Sequence, residues 1–224
     1  MSGALAVFDL DGTITRSDTL GPFLWGYLRR HPWRVLRVVP ALPAPFRYLI
    51  NRDRGALKGT AIRTILGGLP RPALEQWADE FVRTLIPHAL FAEALAAIEQ
   101  HRARGDRLMM MSASTDLYVP RIAQALGFDE VICSRVRWRE DGRLDGRLSG
   151  LNCQGEEKRR CLAEVLARDA PDRIYAYGNS DSDLAHMALA HQAYLINGPA
   201  RLIRVPSPQL QALRWQRHAV TSRS

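Results

Sequence analysis

Residues 6–15 of this 224-residue chain read AVFDLDGTIT, in which Asp9 and Asp11 follow a short apolar run. The run favours a buried strand, and Gly12 stands where the chain would turn after it. Carboxylates at this spacing repel each other, so keeping both ionised requires a neighbouring cation or a division of chemical roles. Asp and Gly are also ordinary turn residues, so the stretch alone fits a functional site and a plain turn equally well.

Strand and helix patterns alternate along most of the remaining chain. The strand-like runs cover residues 108–111, 130–134, 173–180 and 193–197, and the helical patterns between them cover residues 88–105, 117–126, 156–169 and 183–190. Short links between alternating elements predict an α/β fold with a doubly wound parallel sheet. Asp141 and Gly142 predict a hairpin turn between the third strand and the next helix.

Residues 17–87 differ from the rest, because they are rich in Arg and Pro and show helical apolar spacing without a convincing strand. We therefore expect a small helical insertion after the first strand. The core would consist of residues 1–16 and 88–205, and the basic tail at 206–224 would pack loosely.

Composition limits the cellular compartment and the partners that we expect for the protein. The net charge is +8, and lysine occurs only at Lys58 and Lys158 in a chain otherwise rich in arginine. Three cysteines without a CxxC pair favour a reducing compartment. No leader pattern precedes the first strand, and no segment approaches the roughly 20 apolar residues of a membrane span. We expect a cytoplasmic protein, and the absence of a recognition module argues against nucleic acid as a partner despite the positive charge.

In a doubly wound sheet, ligands bind beyond the carboxyl ends of the strands, and several polar residues fall at this edge. Each also fits a structural role. Ser112 is typical of a helix N-cap, the acids after Gly178 suit a helix N terminus, and Lys158 suits a solvated helix face. Their convergence on one edge favours a site. The set comprises Asp9, Asp11, Thr13, Ser112, Ser114, Lys158, Asn179, Asp181 and Asp183.

Four segments, in this order and spacing, resemble the signature motifs of the haloacid dehalogenase superfamily of phosphohydrolases. They are DLDGT (9–13), MMMSAS (109–114), Lys158 and GNSDSD (178–183). The helical insertion resembles the small cap of the phosphoserine-phosphatase-like branch. The resemblance extends to about residue 199 and implies a Rossmann-like core carrying this cap.

The resemblance also implies a chemistry for each motif. Asp9 would attack phosphorus and form an aspartyl-phosphate. Asp11 would protonate the leaving alkoxide and later take a proton from the hydrolytic water. Ser112 and Lys158 would hold the transferring phosphoryl group, and Thr13 would line the same pocket.

The implied cofactor is Mg²⁺, held by Asp9, the backbone carbonyl of Asp11 and the GNSDSD loop. Family members commonly carry an acid where this chain has Asn179, whose amide oxygen still ligates Mg²⁺ but brings no charge. Asn179 or Asp183 would complete the metal site, Asp183 also through a water. A weakened or inactive site is the alternative.

The predicted substrate-binding residues are Thr13, Ser114 and Asp18. In phosphoserine phosphatases a glutamate nine residues after the nucleophile helps to hold the amino group of the substrate. Asp18 occupies that position here in apolar surroundings, so phosphoserine fits poorly.

The predicted cap is both basic and aromatic. One interpretation is a helical cap that packs its aromatic residues on itself, and the other is docking on an anionic bilayer. The cap and the CQGEEK segment resemble the bacterial phosphatidylglycerophosphatase C family. The residues concerned are Arg29, Arg30, Arg34, Arg37 and Arg47 with Phe23, Trp25, Tyr27, Trp33 and Phe46.

The leading hypothesis is therefore a Mg²⁺-dependent phosphomonoesterase acting on a phospholipid monoester such as phosphatidylglycerophosphate, peripheral at the inner membrane. The alternatives are the same chemistry on a small soluble phosphate ester, or a phosphate- or lipid-binding regulator without activity. The sequence does not indicate an oligomeric state.

Overall fold

The computed structural model describes residues 3–37, 54–203 and 209–216. Its main sheet has six parallel strands in the order β3-β2-β1-β6-β7-β8, and β4 and β5 form a separate antiparallel hairpin. The strands are β1 (Leu5–Phe8), β2 (Arg107–Thr115), β3 (Glu130–Ser134), β4 (Val136–Trp138), β5 (Leu144–Leu148), β6 (Ile174–Gly178), β7 (Gln192–Ile196) and β8 (Leu210–Leu213). The predicted α/β fold with a parallel sheet is confirmed.

Helices lie between the strands, as the alternating pattern predicts. They are α1 (Leu20–Arg30), a 3-10 helix (Pro32–Arg37), α2 (Arg54–Leu66), α3 (Arg71–Ala89), α4 (Ala92–Ala103), α5 (Val119–Ala125), α6 (Glu156–Asp169), α7 (Asp181–Met187) and α8 (Ala200–Ile203). Within the part of the chain that the structure describes, no helix is long and apolar enough to cross a bilayer.

The first strand occupies the centre of the sheet. β1 pairs in parallel with β2 on one side and β6 on the other, and all four of its residues are fully buried. Val7 packs with Met109 on one face, whereas Phe8 faces the larger cluster on the other, where its ring stacks on Tyr177 at 4.2 Å. The Asp9 amide continues the ladder to the Tyr177 carbonyl at 2.9 Å. Because Asp9 directly follows the central strand β1, it lies at the carboxyl edge of the parallel sheet.

The described part of residues 17–87 is helical and contains no named strand. Its helices surround an aromatic cluster in which Phe23 contacts Trp77, Phe81 and Tyr118. The β4–β5 hairpin packs against α2. A Cβ atom at Gly146, whose φ is +87°, would lie 2.5 Å from the Arg63 Cα. A side chain at Gly146 would therefore separate the hairpin from the helix.

Two local features differ from the sequence expectations. Ser112 lies inside β2, which continues to Thr115, so it is not a helix N-cap. The tail is not loosely packed at residues 209–216, because Leu210–Leu213 pairs with β7 as the sixth strand. Trp215 is buried and contacts the Phe91 and Tyr177 rings at 5.8 and 6.4 Å. Strand pairing and the burial of Trp215 thus fix a segment that was expected to pack loosely.

Candidate active site

Asp9 lies directly after β1 and is buried, with 5% of its surface exposed. One carboxylate oxygen accepts a hydrogen bond from Lys158 Nζ at 2.6 Å, and the other accepts one from Thr13 Oγ1 at 3.1 Å. Thr13 reaches back to Asp9 because Gly12, with φ +82°, turns the chain between them. Both oxygens of Asp9 are therefore oriented by neighbouring donors.

Lys158 is as deeply buried as the hydrophobic core, with 1% exposure. It lies in the first turn of α6, and its ammonium also donates to Asp183 at 2.7 Å. The interpretation of this lysine as part of a solvated helix face is therefore wrong. One buried ammonium faces two buried carboxylates, which leaves the group negative when all three are ionised.

The pKa values of this group follow from burial and from the shared lysine. Burial raises the pKa of Asp9 to about 7, and the Asp183 charge adds to that rise while Lys158 opposes it. Burial also acts to raise the pKa of Asp183, but the Lys158 ammonium and its hydrogen bonds overcome it and hold the value at about 2. The pKa of Lys158 lies above its ordinary value, because both carboxylates outweigh its own desolvation. A further cation beside Asp9 would favour its ionised form.

Asp11 is held on the cap side of the pocket. One oxygen accepts hydrogen bonds from the Thr19 amide and hydroxyl at 2.7 and 2.6 Å, and the other accepts one from Ser114 Oγ at 2.6 Å. The Thr19 hydroxyl also contacts the hydroxyl of the buried Tyr118 at 3.0 Å. Burial raises the pKa of Asp11, and the bonds from Ser114 and Thr19 oppose the rise. Asp9 and Asp11 thus have separate sets of partners, which suits a division of roles between them.

The loop after β6 places Asn179 in the lining of the pocket, whereas Asp183 is buried behind it. Besides Lys158, Asp183 accepts hydrogen bonds from the Asn179 and Ser180 amides, both at 3.1 Å, and from Ser180 Oγ at 2.8 Å. The Asn179 side chain lies against Gly12, where a Cβ atom would approach its amide nitrogen to 2.1 Å. The absence of a side chain at Gly12 therefore makes room for Asn179 beside the two aspartates.

These residues border a cavity of about 430 Å³, here called the catalytic pocket. Of the predicted residues, Asp9, Asp11, Asp18, Ser114, Lys158 and Asn179 line it. Asp18 is exposed at its rim and accepts a hydrogen bond from the Gly21 amide at 3.0 Å. Thr13, Ser112 and Asp183 are buried and contact residues of the lining. The predicted residues are therefore brought together, in two layers.

Lys58 was not among the site residues predicted from the sequence, and it lines the pocket from the cap helix α2. Its ammonium donates to the Ala113 carbonyl and, at 2.9 Å, to Asn152 Oδ1. Burial lowers its pKa, while the charges of Asp11 and Asp18 act in the opposite direction. Both lysines of an arginine-rich chain thus line one pocket. The rarity of lysine was the available signal.

The pocket also contains donors suited to a hard cation. Carboxylate, amide and carbonyl oxygens are the ligands that Mg²⁺ prefers, and Asp9, Asn179 and the backbone of Asp11 offer all three types. Among the described residues, no group of three His, Cys, Asp or Glu side chains is arranged to hold a metal ion. The residues present fit a magnesium site only if amide and carbonyl oxygens supplement the acids.

The basic and aromatic residues of the cap divide into two groups. Phe23 and Tyr27 are buried, whereas Trp25 and Trp33 are 61% and 63% exposed. Arg30 pairs with Glu80 and stacks on Trp77, and Arg34 donates to the Ile65 carbonyl at 2.6 Å. Arg30 and Arg34, which were predicted to dock on a membrane, thus also stabilise the packing of the cap. Phe46, Arg47 and the Arg37 side chain lie outside the described residues.

The motif geometry agrees with a comparison against known protein families. Residues 6–188 match the family model of haloacid dehalogenase-like hydrolases. The chain belongs to this family. The match runs from β1 through α7 and so contains all four motif segments of the haloacid dehalogenase-like hydrolase.

Curated relatives of this haloacid dehalogenase-like hydrolase match most of its length. The protein CicA of Caulobacter vibrioides is 38% identical over 189 residues, which cover 84% of this chain and 83% of CicA. A probable phosphatase of Mycobacterium tuberculosis is 29% identical over 209 residues, covering 89% of this chain and 70% of that protein.

Solved structures share the fold. A protein of unknown function from Bordetella pertussis superimposes with a TM-score of 0.76 at 23% identity, covering 92% of this chain and 95% of the other. A probable phosphoserine phosphatase from Vibrio cholerae gives a TM-score of 0.67 at 17% identity, covering 89% of this chain and 58% of the other.

Proposed function

We propose that the protein is a Mg²⁺-dependent phosphomonoesterase that works through an aspartyl-phosphate on Asp9. The observation that carries this proposal is the arrangement of Asp9 at the pocket, oriented by Lys158 and Thr13, with Asp11 held next to it by different donors. The kinship with a probable phosphatase of Mycobacterium tuberculosis supports the same chemistry.

In the first step, a carboxylate oxygen of Asp9 attacks phosphorus as the bond from phosphorus to the ester oxygen breaks. Asp11 gives its proton to the departing alkoxide, for which its raised pKa is favourable. In the second step, Asp11 takes a proton from a water molecule that attacks the aspartyl-phosphate. Phosphate leaves and the Asp9 carboxylate is restored.

The remaining polar residues orient the reacting groups and compensate their charge. Lys158 stabilises the ionised Asp9 and faces the phosphoryl oxygens. Ser112 accepts a hydrogen bond from the Ser114 amide at 3.0 Å, which leaves its hydroxyl proton for a phosphoryl oxygen. Asp183 keeps Lys158 charged and fixes the loop of Asn179.

The proposed metal ligands are Asp9, the backbone carbonyl of Asp11 and the side chain of Asn179. Asp183 acts behind them, since its two oxygens already accept four hydrogen bonds. When bound, Mg²⁺ would neutralise the clustered negative charge and polarise the phosphoryl group.

For the substrate, the exposed apolar residues of the cap favour a phospholipid monoester such as phosphatidylglycerophosphate. Trp25, Trp33 and Leu36 are all more than half exposed, and Arg29 is exposed in the last turn of α1. Aromatic and basic residues together are typical of proteins that bind the surface of an anionic membrane.

A small soluble phosphate ester is the second candidate. The observation that favours it is the catalytic pocket itself, which has a volume of about 430 Å³. Most of the side chains that line it are polar, and the apolar ones are those of Phe91 and Ala113. Such a pocket holds a compact polar ester without help from a membrane.

The deciding experiment measures phosphate release with Mg²⁺ and with a chelator. The substrates are phosphatidylglycerophosphate in mixed micelles and a panel of soluble esters. We expect Asp9→Asn to lower turnover by at least about 1,000-fold, while Glu140→Gln, which removes one exposed acid, leaves it unchanged. Substantial activity in Asp9→Asn would contradict the mechanism.

The two substrate candidates separate in the same assay. Preference for the lipid, with sedimentation on anionic vesicles lost in Trp25→Ser/Trp33→Ser and kept in Leu95→Ser, supports membrane action. Turnover of soluble esters alone excludes it. If no ester is cleaved while inorganic phosphate still binds, the protein is a phosphate-binding regulator.

A further inference from the structure

A second cavity adjoins the catalytic pocket. It has a volume of about 910 Å³ and lies between α2 and the segment from β5 to the start of α6. Gln154 and Ser182 line both cavities. The hydrogen bond from Lys58 to Asn152 spans the same boundary, because Lys58 lines the pocket and Asn152 lines the second cavity. We name this second cavity the side groove.

One wall of the side groove is a face of α2 that carries small side chains up to Arg63. Gly55, Gly59 and Arg63 follow each other at intervals of four residues and so share one face of α2. Ala56 and Thr60 broaden the same face. Lys58 is rotated about 100° from Gly59 around the helix and reaches the catalytic pocket instead. A single helix thus serves both cavities.

The charge of the side groove is positive. Arg63 on α2 and Arg147 on β5 both line it, both are exposed, and neither forms an ion pair with another described residue. The acidic residue in the lining, Glu157, is paired with Arg160 at 2.7 Å, and this hydrogen bond lowers its pKa. Two guanidinium groups are therefore left to bind an anion, for which their planar donor sets are well suited.

The side groove meets the catalytic pocket beside Lys58. Asp11 protonates the departing oxygen in the proposed mechanism, and Lys58 lines the same pocket as Asp11 and Asp18. Lys58, Asn152 and Gln154 form the boundary between the pocket and the side groove, so an alcohol that leaves past Lys58 would enter the groove.

We propose that the side groove binds the alcohol portion of the substrate, and that Arg63 and Arg147 bind a second anionic group on it. The substrate class is then a phosphate monoester whose alcohol carries a further negative charge, such as a phosphodiester. A soluble compound and a lipid headgroup both supply this chemistry. The inference rests on the proposed phosphomonoesterase function.

The test compares a substrate without a second anion, one that carries it, and one that also carries acyl chains. Glycerol 3-phosphate has one phosphate, the deacylated headgroup of phosphatidylglycerophosphate adds a phosphodiester, and the intact lipid in mixed micelles adds the acyl chains. We expect Arg63→Gln/Arg147→Gln to lower the ratio of kcat/KM for the deacylated headgroup over glycerol 3-phosphate by about ten-fold. The control Arg83→Gln/Arg214→Gln removes two exposed arginines elsewhere and should keep the ratio.

A second variant tests the groove without changing charge. Ala56→Leu narrows the groove from α2 with a strong helix former and should lower the same ratio. An unchanged ratio in both variants, or a loss confined to the intact lipid, overturns the proposal, because the arginines would then be idle or would act on the micelle surface. Failure of the phosphomonoesterase function itself would appear separately, as absence of glycerol 3-phosphate turnover in the unmodified protein.

Discussion

Replacement of Lys158 by methionine tests the buried charge group on which the site depends. The lysine is 1% exposed and donates to Asp9 and Asp183 at 2.6 and 2.7 Å. Methionine keeps much of the side-chain volume and removes the charge, which leaves two buried carboxylates without their cation. Loss of one partner of a buried ion pair costs about 3–5 kcal/mol. We expect the free energy of unfolding to fall by this amount in urea at pH 7 with a chelator present.

The same helix supplies a matched control. Arg160 also pairs with two acids, Glu157 and Glu164, but it lies on the exposed side of α6. Arg160→Met should therefore lose much less stability than Lys158→Met, since exposed ion pairs contribute little. Equal losses in the two variants would refute the reasoning, because burial and not the number of partners sets the expected difference. Turnover should vanish only in Lys158→Met.

Three further predictions each concern a single residue. Gly12→Ala places a Cβ 2.1 Å from the Asn179 amide at φ +82°, so we expect turnover to be lost and the free energy of unfolding to fall by about 1–3 kcal/mol; normal kcat would contradict the close approach. Burial lowers the pKa of His101, so its unfolded form binds more protons below about pH 6.5 and the contribution of His101 to stability should fall as the pH drops from 7.5 to 5.5; in thermal unfolding, the stability of the unmodified protein relative to His101→Gln, which would keep the bond to Tyr177, should decrease over the same range. Trp215→Ala should cost about 3 kcal/mol in urea unfolding, whereas a loosely packed tail would show no loss.

The residues that meet at the pocket were predictable from local sequence because strand ends and residue types are local features. Asp9, Asp11 and Asn179 follow directly on buried strands, and parallel strands bring their carboxyl ends to one edge. A position after a strand does not show whether a side chain lines the pocket or lies buried behind the lining. Thr13 and Asp183 stand at equally suggestive positions, yet both are buried behind the lining and orient other residues.

The position of Lys58 in the pocket could not be predicted from the sequence. Its segment carries no motif, and its helix has no pronounced apolar face, so nothing local marks the residue as part of a site. Its position in the pocket depends on how the cap folds over β2, which brings residues 58 and 113 together. The unusual choice of lysine in an arginine-rich chain was a hint, but it did not indicate a location.

The sequence by itself determined the α/β fold, the parallel sheet and the residue types of the site, because apolar periodicity and strand-end chemistry are local properties. Only the tertiary structure decided which polar residues are buried, which line the pocket and where the C-terminal segment packs. Trp215 and Lys158 make the reason plain. Each lies in a basic stretch typical of a solvated surface, and each is buried by partners distant in the chain, Phe91 and Tyr177 for the tryptophan and Asp9 for the lysine. Burial is set by such long-range contacts, which local composition does not encode.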